Sequence, residues 1–286
     1  MKTILIQLDT DPFPSTFDRV VAIDAGVDEL FSYGGVTPDS VEPLVHGAIF
    51  TRRPSDLMKT AIFVGGSNVA AGETLLKAVR KSLFGPFKVS IMMDSNGSNT
   101  TAAATVLAAA KHLDLANTTA VILGGTGPVG CRAAQLLLGH GATVRLVSRS
   151  LDRSAATCQM LSNLTDNAKL TPHESSTESG LASACEGANL LIAAGAAKTR
   201  LISAGQLSSM TSLKLMIDLN AVAPSGIEGV EVMDKARDHS GVLAYGAIGV
   251  GGMKMKIHHA AVQALFQAND RVFDTSAIYD LAKSLS

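Results

Sequence analysis

Residues 119–150 read TAVILGGTGPVGCRAAQLLLGHGATVRLVSRS. An apolar run of strand length meets a glycine turn, a helical stretch follows, and a second strand-length run closes the unit. Two strands joined through one helix pair in parallel, because a parallel pair needs a long crossover. This one unit commits the middle of the chain to an α/β fold with helices layered on a sheet.

The turn itself points to a ligand. Gly125-Thr126-Gly127-Pro128-Val129-Gly130 fits GxGxxG, placed after a strand and at the start of a helix. In a dinucleotide-binding unit the first glycine permits the tight turn, the second lets backbone approach a pyrophosphate, and the third lets helix and strand pack closely. The helix start offers unpaired N–H groups and partial positive charge to phosphate. Pro128 suits a first-turn position because it has no N–H to leave unpaired. The second strand is predicted to end at Ser148-Arg149-Ser150, with Arg153 close behind. An acidic residue in that place binds the 2′-hydroxyl of NAD. Hydroxyls and guanidinium groups instead hold a 2′-phosphate by charge-assisted bonds. The unit therefore predicts NADP, with NAD as the lesser alternative. The competing reading makes Arg149 and Arg153 solvated charges at a helix start. Asp152 reads as a first-turn acid of the next helix.

The same alternation runs through the rest of the 286 residues. KTILIQLD, TAIFVGG and KVSIMMD read as strands. STFDRVVAIDAG, with Ser15 or Thr16 as N-cap, and NVAAGETLLKAVRKSLF read as helices. ANTT (116–119) reads as a linker that divides 1–115 from the nucleotide unit. Helices are expected at 128–139 and 152–164, strands at 119–124 and 143–148, and further strands in NLLIAAG and LKLMIDLNA. MKMKIHHAAVQALFQ reads as a helix, and Asp274 or Thr275 caps a last one. The fold class is α/β with two domains, one of them a Rossmann-type doubly wound parallel sheet.

Composition excludes several roles. Net charge is −1, so no global field draws nucleic acid or an anionic membrane. Trp is absent and aromatics make up 4 %, which leaves no stacking platform for single strands. No run is long and apolar enough to span a bilayer, and MKTILIQLDTD is too short for a signal peptide. A cytoplasmic protein is expected. Cys131, Cys158 and Cys185 are an odd set without a CxxC pair and read as small buried apolar residues. No His/Cys/Asp/Glu set has ligand spacing, so no metal is expected.

Two further segments carry polar groups. DSNGSNTTAAA places a donor- and acceptor-rich run, 94–101, after a predicted strand, where α/β sheets bind ligands. Its plainer reading is a turn with an N-cap. GGMKMKIHHAA sets Lys254 and His258 four residues apart on one helical face, with Lys256 on another side. Spacing alone also allows surface residues there.

Together QLDTDPFPSTFDRVVAIDAG, YGGVTPDSV, TAIFVGGSNVAAGE, FGPFKVSIMMDSNGSNTTAAA, GGTGPVG and AYGAIGVGGMKMKIHHA resemble the bacterial NAD(P)-dependent methylene-tetrahydromethanopterin dehydrogenases, end to end. The resemblance implies a tetrahydropterin-binding domain, 1–115, completed by C-terminal helices at 253–286, and an NADP-binding Rossmann domain, 116–252. It implies a site in the crevice between them, completed by a neighbouring subunit of a homotrimer. It implies Phe17, Thr101, Lys254 and His258 as substrate-site residues. The reaction it implies moves a hydride from N5,N10-methylene-tetrahydromethanopterin to NADP. That step needs no general base, in keeping with the lack of a Ser/His/Asp or paired-carboxylate motif, and rests on positioning. His258 is expected to hold Lys254 in place. The alternatives are a methylene-tetrahydrofolate dehydrogenase and a non-catalytic NADP-binding regulator. A Tyr-xxx-Lys dehydrogenase is disfavoured, since the tyrosines are Tyr33, Tyr245 and Tyr279.

Overall fold

The computed structural model describes residues 1–165 and 168–285. The chain divides into two units: Met1–Thr100 with the segment from Met255 onward, and Thr101–Lys254. The sequence places the same divisions at 115/116 and 252/253.

In the first unit the elements run β1 (Ile4–Asp9), α1 (Thr16–Asp24), β2 (Glu29–Tyr33), α2 (Val41–Phe50), β3 (Thr60–Gly65), α3 (Val69–Lys81), β4 (Ser90–Met93) and the start of α4 (Ser98–Ala110). In the second come β5 (Thr119–Leu123), α5 (Pro128–Gly139), β6 (Thr143–Ser148), α6 (Leu151–Ser162), β7 (Leu170–Glu174), α7 (Glu178–Cys185), β8 (Leu190–Ala193), α8 (Ala204–Ser208), β9 (Leu215–Asp218), β10 (Lys235–His239), β11 (Val242–Tyr245) and most of α9 (Ala247–Ala264). The chain then returns to the first unit with β12 (Val272–Phe273) and α10 (Thr275–Lys283).

The first unit's sheet has order β12-β4-β3-β1-β2, all parallel. Its strand order reverses between β1 and β3. In such sheets a crevice opens at the carboxyl ends of the strands flanking that reversal. Leu8, Val45, Ile49, Leu57, Ile62, Val64, Leu75 and Ile91 are all fully buried in its core. Each contributes about 1.5–3 kcal/mol by leaving water.

The second sheet has order β10-β11-β9-β8-β5-β6-β7, parallel except for β10 against β11. From β7 to β11 this is the doubly wound dinucleotide-binding order, with its reversal between β5 and β8. Cys158 and Cys185 are buried here, and burial pushes both thiols up to about 11. They behave as inert apolar groups.

The structure departs from the sequence pattern in identifiable places. The helix predicted at 253 begins at Ala247, so AIGVGG lies inside α9 rather than in a loop. At Gly249 the helix passes close to another segment: a Cβ there would run into the carbonyl oxygen of Asp234. The polar run at 95–101 is not all loop, because α4 starts at Ser98. ANTT is a short 3-10 turn running straight into β5 rather than a linker. The helix expected at 152–164 spans Leu151–Ser162. Within the polar stretch 165–180, residues 166 and 167 lie outside the described residues. The remainder forms β7 and α7; β7 holds Pro172 because it is an edge strand. Helix α2 carries Pro43 in its first turn, where a backbone N–H has no helical partner to lose.

Candidate active site

The glycine turn after β5 forms the floor of a cleft of about 300 Å³ in the second unit. It is lined by Gly124, Thr126, Gly127 and Pro128 from the turn, Ser148, Arg149 and Arg153 from the end of β6 and the start of α6, Ser175 after β7, and Ala194–Ala196, Thr199 and Leu201 after β8. These are the carboxyl ends of the strands at the β5/β8 reversal. Gly127 is the N-cap of α5 and has no side chain to cap it, and Pro128 takes the first helical position as expected. The helix start is thus open to an anion.

The turn's strain falls one residue earlier than the motif suggests. Gly124, not Gly125, has the left-handed φ, +71°. A Cβ on Gly124 would lie 2.5 Å from the Cα of Gly195 across the cleft floor. Gly125 is needed for packing instead, since its Cβ would stand 2.7 Å from the Leu146 side chain. At Gly130 helix and turn approach closely: a Cβ there would come within 2.8 Å of the Gly125 Cα. Gly125, Val129 and Gly130 do not line the cleft, and neither does Ser150, whose hydroxyl caps α6 at the Arg153 N–H.

Ser148 is buried at the end of β6, and its carbonyl accepts the Ser175 N–H at 2.8 Å. Arg149 and Arg153 are exposed, and among the described residues no carboxylate lines the cleft with them. A glycine floor, an uncapped helix start and two guanidinium groups fit the phosphates of a dinucleotide. Ser175 and the 194–201 segment were not visible as site residues in the sequence. The glycine after the apolar run NLLIAA was the available signal.

A second cluster sits at the carboxyl ends of the first unit's strands. Asp9 ends β1 fully buried. Its carboxylate accepts the N–H groups of Asp11 at 2.9 Å and Ser15 at 3.1 Å, which fixes the turn leading into α1. Asp11 accepts both the N–H and the hydroxyl of Ser67, at 2.9 and 3.0 Å, joining the loops after β1 and β3. The fixed turn places Phe17 in the first turn of α1, about half exposed.

Asp94 follows β4, also fully buried. It accepts the N–H groups of Asn99 and Thr100, at 2.8 and 3.0 Å, and the Thr100 hydroxyl at 2.6 Å. An anion at the first turn of α4 suits the helix dipole. The second Asp94 oxygen stands 3.9 Å from Nδ1 of His258. The His258 ring is buried and stacked on Phe63, with centroids 5.8 Å apart and planes 16° apart, and the Phe17 ring lies 6.3 Å away.

Phe17 and His258 are therefore brought together, and Phe63 and Asp94 join them. Neither of these two was singled out individually in the sequence, although Asp94 opens the polar run noted there. Thr100, not Thr101, bonds Asp94; the Thr101 carbonyl accepts the Thr105 hydroxyl at 2.8 Å. Lys254 lies one turn before His258 on α9, partly exposed. Among the described residues no group of three or more His, Cys, Asp or Glu is placed to hold a metal ion. No helix there is long and apolar enough to cross a membrane.

Comparison with known proteins adds to this geometry. The family described as methylene-tetrahydromethanopterin dehydrogenase, N-terminal, matches residues 16–96. The family described as alanine dehydrogenase/PNT, C-terminal domain, matches residues 90–274. A Methylorubrum extorquens protein named bifunctional protein MdtA is 44 % identical, over 100 % of this chain and 99 % of that one. The NAD(P)-dependent methylenetetrahydromethanopterin dehydrogenase of the same organism is 29 % identical, over 100 % and 99 %. Among solved structures, quinate dehydrogenase from Corynebacterium glutamicum in complex with NAD has a TM-score of 0.52 at 12 % identity, covering 99 % of each chain. Ligand-free 5-ketofructose reductase from Gluconobacter has a TM-score of 0.51 at 12 % identity, covering 100 % of this chain and 99 % of that one. At such identity these two are similar in fold.

Proposed function

Because the chain belongs to the methylene-tetrahydromethanopterin dehydrogenase family, we propose that it oxidises N5,N10-methylene-tetrahydromethanopterin to the methenyl cation with NADP, in one-carbon metabolism. The nicotinamide, when bound, supplies the hydride acceptor. The observation that carries the choice of NADP is the cleft lined by Arg149 and Arg153, with no carboxylate beside them among the described residues. The open start of α5 binds the pyrophosphate, and Ser148, Arg149 and Arg153 bind the 2′-phosphate.

The pterin contacts follow from the family assignment. Phe17, held half exposed by the Asp9-fixed turn, packs on the pterin rings. Thr101 bonds a polar edge of the substrate, and Lys254 orients its polar atoms. A protonated lysine opposes a developing cation, so its contact lies away from the reacting carbon. His258 is oriented by Asp94 and Phe63 and shapes the same surface. No base is required, since the bridging carbon loses a hydride and its two nitrogens stabilise the cation. The homotrimer and the cytoplasmic location belong to the same reading.

The test follows near-ultraviolet absorbance of reduced nicotinamide with methylene-tetrahydromethanopterin, offered NADP and then NAD. The reading expects a fast rise with NADP and a slow one with NAD. Equal rises overturn the cofactor choice. A rise only with methylene-tetrahydrofolate overturns the substrate, and no rise with either pterin overturns the activity.

A further inference from the structure

The dinucleotide cleft has two unlike walls. One, formed by Ser148, Arg149, Arg153 and Ser175, carries the charge. The other is irregular backbone that presents only Ala194, Gly195, Ala196, Thr199 and Leu201 to the cleft, all uncharged and mostly small. A dinucleotide lies across such a crevice, so a 2′-phosphate at the first wall sends the nicotinamide half along the second. A bare segment of this kind holds its shape only if something behind it does.

Behind it stands Asp218, at the end of β9 and 1 % exposed. One oxygen accepts the Asn220 N–H at 2.9 Å, and the other accepts the Ile227 N–H at 2.8 Å. The Asn220 side-chain amide donates to the carbonyls of Ala196 and Thr199, each at 3.4 Å. The Gly226 carbonyl accepts the N–H groups of Leu201 and Ile202 at 2.8 and 3.1 Å. Gly226 is wedged in place: a Cβ there would lie 3.0 Å from both Asp218 Oδ1 and Asn220 Nδ2. Burial pushes the Asp218 carboxyl above its ordinary value, and the three backbone N–H groups of Ile227, Asn220 and Gly226 only partly offset this. Among the described residues no cation bonds to it. A buried carboxylate without a counter-ion is a poor choice for stability alone. Its distinctive product here is the fixed 219–227 loop, which grips both ends of the bare wall.

We propose that Asp218, acting through Asn220, is a positioning residue for the nicotinamide half of the cofactor. The inference rests on the dinucleotide reading of the cleft. Its test compares calorimetric binding of NADPH and of 2′,5′-ADP, which carries only the adenine half, to the full chain. Asn220→Ala keeps Asp218 and its backbone bonds, so it preserves the fold even if Asp218→Asn does not. Two long hydrogen bonds are lost, so NADPH binding should weaken about tenfold, with 2′,5′-ADP unchanged within about twofold. The hydride-transfer rate should fall as well. Equal weakening of both ligands marks a general structural role and overturns the proposal, as does unchanged NADPH binding. If 2′,5′-ADP fails to bind the unaltered protein, the dinucleotide reading falls and takes this inference with it.

Discussion

Gly124→Ala should damage both the fold and the cofactor cleft, in amounts the geometry sets. Gly124 has φ +71°, and a Cβ there would lie 2.5 Å from the Gly195 Cα and 2.6 Å from its N. The left-handed backbone costs a non-glycine residue about 1–2 kcal/mol. Carbon atoms rest about 3.5–4.0 Å apart, so the 194–195 backbone must retreat by about 1 Å. Such overpacking costs about 1–3 kcal/mol. The two together predict a loss of about 2–5 kcal/mol, most of the stability margin of a marginal domain. Because the displaced backbone is a wall of the cleft, a shift of about 1 Å should also lower kcat/KM about 100-fold. Thermal unfolding and steady-state kinetics read the two effects. Gly139→Ala is the control: it ends α5 on the exposed side with nothing within 4 Å of the added Cβ. It should leave activity alone and not lower Tm. If Gly124→Ala matches this control in both measurements, the close approach of the two loops is wrong.

Arg149→Ala should reduce kcat/KM for NADP about tenfold and leave that for NAD unchanged, since an exposed charge-assisted bond sits at the low end of its range; an equal fall with both cofactors contradicts the 2′-phosphate role. Raising ionic strength should narrow the NADP preference in the unaltered protein, read as the ratio of the two kcat/KM values. Gly47→Ala, in the interior of α2 with open space around the new methyl, should stabilise by about 1 kcal/mol and raise Tm, as calorimetry would show. Burial raises the Asp234 carboxyl, but the Glu231 N–H, His239 at 2.8 Å and Arg237 at 3.3 Å outweigh it and hold it below the usual range. Its stabilisation is therefore present above the unfolded carboxylate value of about 3.9 and is lost as pH falls through the folded value. Denaturant titrations should show Asp234→Asn weaker than the unaltered protein near neutral pH and converging with it in acid.

Much of this architecture was legible in the chain because its signals are local. β5, α5 and β6 follow from an apolar run, a glycine turn and a proline at the first helical position. Ser15 and Asp274 were readable as caps because capping depends on a side chain and the N–H groups just after it. Other features depend on distant partners. β10, KARDH, has no apolar alternation and exists by pairing with β11. β2, ELFSY, at the far edge of its sheet, is short and lacks a clean alternation, and it pairs with β1.

The same division runs through the candidate site. The sequence by itself determined the α/β class, the family, the phosphate-binding turn and a basic end to the second strand, because each lies within a few consecutive residues. Only the tertiary structure decided that the left-handed turn falls on Gly124, that Thr100 rather than its neighbour bonds Asp94, and that Phe63 stacks on His258. It alone set the Asp218 carboxylate behind the 194–201 wall. Those choices depend on which strand ends become neighbours. Strand order in a parallel sheet is set by how helices cover both faces, which no short stretch of sequence encodes.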